Sequence, residues 1–166
     1  MKTIEFQRST PERSLRIQGW LIKAGERIGL SGPVVDMEAL KQSFDPDCTY
    51  PLCKGYKLTP DPGIIIGRAK LEMREDGIWV TGYIIPGDMS KLWWDCLVDD
   101  LAENEIRFGC LVNGITTHSR VSSGKEVFDD SKEFDISKMK IRMLTLGIGN
   151  LGGTVENMTF VEKGYE

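Results

Sequence analysis

Residues 63–85, GIIIGRAKLEMREDGIWVTGYII, predict two antiparallel strands joined by a tight turn. Apolar and polar residues alternate from 63 to 74, and this period of two is typical of a strand with one buried face. The residues expected on the buried face are Ile65, Gly67, Ala69, Leu71 and Met73. Glu75-Asp76-Gly77 has the composition of a hairpin turn. Residues 78–85 are apolar on both faces, so we expect this second strand to be buried.

Further strands are predicted on both sides of this hairpin. They cover residues 14–24, 49–56, 106–117, 136–148 and, in the tail, 158–161. Residues 37–44 are expected to form a short helix, capped by the Asp36 carboxylate. Residues 58–63 have the composition of a turn, and residues 120–132 that of a polar loop. This order predicts an α+β domain with a mainly antiparallel β-sheet or barrel, one short helix and one long helix.

The long helix is predicted over residues 88–103, with Asp88 as its N-cap. Its apolar residues recur at helical spacing, which indicates one face packed on the core. They are Met89, Leu92, Trp93, Cys96, Leu97 and Leu101. Trp94 falls about 100° away from this face. An exposed Trp94 would mark an interface, because aromatic anchors are enriched at contact surfaces.

Length and composition indicate a single domain over residues 1–166. With 40% hydrophobic residues, the chain can bury a core, expected over about residues 14–150, with 151–166 as a C-terminal extension. A net charge of −4 argues against nucleic acid as a partner. The sequence shows neither a targeting segment nor an apolar run that could span a membrane, so we expect a cytoplasmic location.

The cysteines and the single histidine suggest no metal or cofactor site. The four cysteines are Cys48, Cys53, Cys96 and Cys110, and without a secretory signal we expect reduced thiols. Cys48 and Cys53 are too far apart in the sequence for a CxxC motif, and His118 is the only histidine. Acidic residues of the long helix are expected to form a solvated face.

Seven short motifs follow one another within residues 14–150. They are 16–20 (RIQGW), 34–40 (VVDMEAL), 51–52 (PL), 66–68 (IGR), 75–80 (EDGIWV), 108–115 (FGCLVNGI) and 141–148 (IRMLTLGI). In this order they resemble HK97-type phage prohead proteases, which share a fold with the herpesvirus assembly proteases. The resemblance implies a barrel-like domain that acts on scaffold and coat proteins inside an assembling head, with a serine nucleophile and a histidine base.

Both catalytic groups that the resemblance implies are missing from the expected positions. The histidine should follow the strand at 51–52, where the chain reads Cys53-Lys54-Gly55-Tyr56-Lys57. The serine should precede a glycine on the strand after the long helix, which leaves Arg107 in one register and Val112 in the other. Neither residue is a nucleophile, and a serine hydroxyl needs a positioned base to react.

Alternative catalytic pairs are weaker. Cys110 could serve as nucleophile with His118 as base, but eight residues of extended strand separate them by about 26 Å. Apolar neighbours also do not activate a thiol. A Ser–Lys pair that uses Lys54 or Lys57 as base would need a desolvated lysine.

These observations predict a catalytically inactive, prohead-protease-like phage or prophage protein that binds head, coat or scaffold proteins. It could also form a homo-oligomer or be incorporated in a virion. One alternative is an active endopeptidase with a non-standard catalytic set, Cys110 and His118. The other is an unrelated β-rich binding protein.

Overall fold

A computed structural model describes residues 3–4, 13–26, 34–56, 59–87, 90–112, 115–116, 121–122, 125–126, 138–148 and 153–162. Two helices are present in these ranges, α1 (Met37–Gln42) and α2 (Lys91–Glu103). The strands are β1 (Thr3–Ile4), β2 (Arg13–Lys23), β3 (Thr49–Tyr56), β4 (Thr59–Arg74), β5 (Gly77–Ile84), β6 (Ile106–Val112), β7 (Ile115–Thr116), β8 (Val121–Ser122), β9 (Lys125–Glu126), β10 (Ile141–Ile148) and β11 (Thr154–Glu162).

The main sheet is mixed and nearly closes into a barrel. Its strand order is β1-β11-β2-β5-β4-β3-β10-β6-β7, and seven strands from β11 to β6 form the barrel-like part. The β1–β11 and β3–β10 pairs are parallel, and the other ladders described in this sheet are antiparallel. The expected mainly β domain with one short and one longer helix is therefore confirmed at this level.

The hairpin of β4 and β5 forms as predicted. Its strands pair from Gly67↔Ile84 to Arg74↔Gly77, so Glu75 and Asp76 form the turn. A glycine is required at position 67, because an added Cβ would lie 1.8 Å from the Tyr83 carbonyl oxygen. As expected, β5 is almost entirely buried.

One face assignment in β4 is wrong. Ile65 is 60% exposed, whereas Ile66 is 2% exposed and belongs to the core. The pairing with β3 shifts between Leu52↔Gly67 and Cys53↔Ile65. Ile66 is thus the extra residue of a β-bulge, and an extra residue reverses the alternation of faces beyond it.

Several predicted boundaries also differ. The turn expected at residues 58–63 is strand from Thr59 onward, because β3 pairs with it as far as Tyr56↔Thr59. Of the strand expected at 106–117, the described residues form β6 and β7, and 113–114 and 117 lie outside them. In the strand expected at 136–148, residues 136–137 also lie outside the described residues, 138–140 are not strand, and β10 begins at Ile141. The tail strand extends over Thr154–Glu162. Within the polar region 120–132, the described residues form the small β8–β9 pair.

Helix α1 begins as the sequence predicts and ends earlier than expected. The Asp36 carboxylate accepts a hydrogen bond from the Ala39 amide at 2.8 Å, as an N-cap does. The helix ends at Gln42, with Ser43 as its C-cap. The Ser43 carbonyl then accepts from the Ile141 amide, which joins the end of α1 to the beginning of β10.

Helix α2 packs on the core through a different face from the one predicted. Ser90, rather than Asp88, is the N-cap, and its hydroxyl accepts from the Trp93 amide at 3.2 Å. The buried residues of α2 are Trp94, Leu97, Val98 and Leu101. Of the expected face, only Leu97 and Leu101 are among them, and Met89 lies outside the described residues. Two apolar stripes overlap on this helix, and the stripe that contains Trp94 and Val98 packs against the barrel.

Candidate functional site

The strands that carry the two expected catalytic positions lie on either side of β10. Lys54 on β3 is the register partner of Leu146 on β10, and Leu146 is also opposite Phe108 on β6. Arg107, the preceding residue of β6, is opposite Gly147. Since neighbouring strands lie about 4.8 Å apart, the backbones at Lys54 and Arg107 are separated by roughly 10 Å.

The same ladder distinguishes the two registers considered for the serine. Val112 is opposite Ile141, which lies five residues from Leu146 along β10. That offset is about 17 Å along the strand, so the Val112 position is remote from Lys54. Of the two registers, Arg107 has the backbone nearer to Lys54, but alternation along β6 places its side chain on the sheet face opposite to that of Phe108, Leu146 and Lys54.

Lys54 is largely buried and forms an ion pair. The residue is 9% exposed, and its Nζ lies 3.1 Å from Oδ2 of Asp100 on α2. Asn104 Nδ2 in turn donates to Asp100 Oδ1 at 3.1 Å, which orients the carboxylate. A lysine acts as a general base only as the neutral amine. The Lys54 amine is instead held beside a carboxylate, so this geometry supports charge pairing rather than Ser–Lys catalysis at Lys54.

Arg107 is also held by neighbouring groups. Its Nη2 lies 2.7 Å from Glu105 Oε1, and its Nη1 donates to the Gly153 carbonyl at 3.3 Å. Its Nε is buried without a hydrogen-bond partner. A guanidinium stays protonated in proteins and can serve neither as a nucleophile nor as a base. Arg107 instead links the beginning of β6 to the residue that precedes β11.

The proposed Cys110–His118 pair stays a prediction. Cys110 is 3% exposed and lies opposite the fully buried Leu144, so its thiol belongs to the core of the barrel. A polypeptide substrate cannot reach a thiol in this position without displacing core side chains. His118 lies outside the described residues, as does Lys57.

The condition under which Trp94 would mark an interface, exposure to solvent, is not met. Trp94 is fully buried, with 0% exposure, whereas Trp93 is 50% exposed and Leu92 is 74% exposed. The solvent-exposed indole is therefore that of Trp93, which was expected on the buried face of the helix. Trp94 is part of the packing between α2 and the barrel, and in the folded chain it cannot serve as a surface anchor.

Cys48 is the exposed thiol with the best defined environment. Its Sγ lies 3.4 Å from Asp45 Oδ2, and this hydrogen bond, together with the nearby negative charge, raises the pKa of the thiol. A raised pKa disfavours the reactive thiolate. Across the part of the chain that the structure describes, no group of three or more histidine, cysteine or acidic residues is arranged to hold a metal ion.

A cleft of about 530 Å³ opens where the barrel does not close. It is lined by Glu105 and the beginning of β6 (106–107), by the beginning of β11 (154–156), and by the last residues of α2 with its cap (102–104). We call this cleft the seam. At one end, Gly153 touches β6, because a Cβ added there would lie 2.5 Å from the Phe108 carbonyl oxygen. Sequence reasoning missed the seam, since its two walls lie about fifty residues apart in the chain.

Comparisons with known proteins do not assign a family. Scanning the chain against family models gives no match, and no curated protein is similar enough to match it. Among the described residues, neither helix has the length and apolar character needed to cross a membrane.

Proposed function

We propose that this chain is a catalytically inactive, prohead-protease-like domain that binds protein partners during assembly of a phage or prophage head. The ordered motifs over residues 14–150 support this proposal. So does a mainly β, nearly closed barrel with one short helix and one longer helix, which is the architecture that the resemblance implies. Fold alone does not determine activity, so the residues of the site decide between activity and binding.

The observation that carries the proposal is the pair of cations across β10. Arg107 occupies a position at which the resemblance implies a serine, and it is paired with Glu105. Lys54 lies in the segment in which the resemblance implies a histidine, and it is paired with Asp100. Acyl transfer by a serine or cysteine requires a nucleophile within reach of a base. Two cations engaged with carboxylates supply neither group, and they would hold the surrounding strands together instead.

Binding would then be the remaining role of the domain. Candidate partners are coat or scaffold proteins of the head, or a second copy of the chain. Exposed apolar side chains available for contact include Trp93 and Leu92 on α2 and Ile65 on β4. These replace Trp94 as candidate anchors, because exposed aromatic residues are frequent at protein interfaces.

Co-expression with coat and scaffold proteins of HK97-type phages tests the proposal, with an active HK97-type prohead protease as positive control. We expect the partner proteins to keep their intact mass and this chain to sediment with assembled heads. A Cys110→Ala, His118→Ala double variant should behave identically. Cleavage by the wild-type chain that this variant abolishes would establish the active endopeptidase instead. Failure to associate with any head protein would remove the assembly role.

A further inference from the structure

The two walls of the seam are strand edges. Within the described ranges, β6 pairs with β10 along its whole length, but on its other side it pairs with β7 only at Leu111 and Val112. Similarly, β11 pairs with β2, and β1 meets its other edge only at Asn157 and Met158. No described ladder joins β6 to β11. Among the residues that the structure describes, no strand therefore lies between the backbones at 105–107 and 154–156, which line the cleft.

A strand edge exposes a row of backbone donors and acceptors that can pair with another chain. The two walls touch where Gly153 meets Phe108. The opening beside these edges, about 530 Å³, has the size of a ligand site. An extended peptide of three or four residues would pair with the edge of one wall.

The charge around the seam favours a cationic occupant. Glu103, Glu105 and Glu156 line it, and Glu105 is 79% exposed at its side chain. The C-terminal end of α2, which carries a negative partial charge, also lines it, and the last turn of α2 contains no basic residue. The only positive side chain among the lining residues is Arg107, whose charge is already paired with Glu105. The side chains that line the seam therefore carry two more negative charges than positive ones.

Arg107 gives a second indication. Its Nη atoms have partners, but its buried Nε has none, and an unpaired buried donor destabilises the folded state. A peptide in the seam brings backbone carbonyl groups beside this side chain. A small rotation of the guanidinium would then give Nε an acceptor that the unoccupied chain does not provide.

We propose that the seam binds an extended segment of a partner protein as an added strand, and that it selects segments that carry lysine or arginine. Backbone pairing along an exposed edge supplies affinity, and side-chain pockets or charges supply selectivity, as in other cases of strand addition. The inference deepens the proposed binding role and rests on it for the identity of the partner. The site itself does not depend on phage biology.

Fluorescein-labelled hexapeptides test the site directly. The probes are Thr-Lys-Val-Lys-Val-Thr, its counterpart with glutamate in place of lysine, and a lysine peptide that is N-methylated at alternate amides. We expect saturable binding of the lysine peptide by fluorescence anisotropy, and amide shift changes at residues 105–107 and 153–156 in NMR spectra. The glutamate and N-methylated peptides should not bind, because one is repelled and the other cannot form the strand hydrogen bonds.

A Glu105→Gln, Glu156→Gln double variant should weaken binding about fivefold, which is the effect of losing two exposed charge contacts. The matched control is Glu75→Gln, because Glu75 is an exposed glutamate in the turn of the β4–β5 hairpin. The control should bind like the wild type, and circular dichroism should show that both variants are folded. Added salt should reduce the difference between variant and control.

The proposal is overturned by any of these results: no saturable binding of the lysine peptide, equal binding of the glutamate peptide, retained binding of the N-methylated peptide, or shift changes away from the seam. Concentration-dependent shifts at residues 105–107 without peptide, with dimers in sedimentation, would identify a second copy as the occupant and also refute it. If heads bind the chain but the lysine peptide does not, the seam inference fails alone. Peptide binding without head association would remove only the proposed assembly role.

Discussion

The adjacent residues Trp93 and Trp94 provide a matched test of the packing of α2. Trp94 is fully buried between α2 and the barrel, whereas Trp93 is half exposed. Replacing each by alanine removes the same side chain from neighbouring positions on one helix. The helix propensity changes equally, so the difference between the two variants reports burial.

The expected loss can be worked from the buried area. A buried tryptophan removes roughly 150–250 Å² from water, which at about 25 cal/mol per Å² corresponds to about 4–6 kcal/mol. Alanine retains part of this area and the neighbours relax, so we expect Trp94→Ala to lower the free energy of unfolding by about 3–5 kcal/mol. Trp93→Ala removes about half the buried area and leaves no closed cavity, so its cost should stay below about 2 kcal/mol.

Urea denaturation followed by far-ultraviolet circular dichroism measures both values. Fluorescence is less suitable, because four tryptophans contribute to it. With a urea dependence of about 2 kcal/mol per molar, Trp94→Ala should lower the midpoint by roughly 1.5–2.5 M. Equal midpoints for the two variants, or a larger loss for Trp93→Ala, would refute this assignment of the buried face.

Three further outcomes follow from the described contacts. Asp100→Asn should lower the free energy of unfolding by roughly 1–2 kcal/mol, because the largely buried Lys54 loses its counter-charge. The loss is no larger because the Asp100 side chain is 41% exposed, and solvent weakens the ion pair. No change in a urea titration would show that the ion pair is energetically neutral. In the same urea titration, Gly67→Ala should lower the free energy of unfolding by at least about 3 kcal/mol more than Gly82→Ala does. A new Cβ meets a backbone oxygen at 1.8 Å in the first case, but a side-chain carbon at 3.1 Å in the second, so similar losses would contradict the close strand approach. Asp45→Asn should lower the pKa of the Cys48 thiol and so speed its alkylation near pH 8. Mass spectrometry of the labelled peptide measures the alkylation rate, and an unchanged dependence of this rate on pH would exclude Asp45 as the cause of the raised pKa.

Local patterns account for the elements that the sequence predicted correctly. The β4–β5 hairpin follows from alternating residues on either side of Glu75-Asp76-Gly77, and the start of α1 follows from the Asp36 cap. Each of these structures is decided by residues close together in the chain. Alternation, turn composition and capping act over a few residues, so they can be read without the rest of the fold.

The candidate site was only partly predictable for the same reason. The sequence shows that segment 53–57 contains no histidine and that neither Arg107 nor Val112, the two positions open for the serine, is a nucleophile. It does not show that Lys54 pairs with Asp100 and Arg107 with Glu105, or that β10 lies between β3 and β6. Ion pairs and strand order depend on residues far apart in sequence, and no local pattern encodes them.

The sequence by itself determined the β-rich character of the domain, its central hairpin and the absence of a serine or histidine at the positions that the resemblance implies. Only the tertiary structure decided which face of α2 is buried, because Trp93 and Trp94 belong to overlapping apolar stripes and the barrel surface selects between them. It also decided the bulge at Ile66, which depends on the register with β3, and the seam between β6 and β11. These features arise from packing between distant segments, where the free energy of burial outweighs local preference.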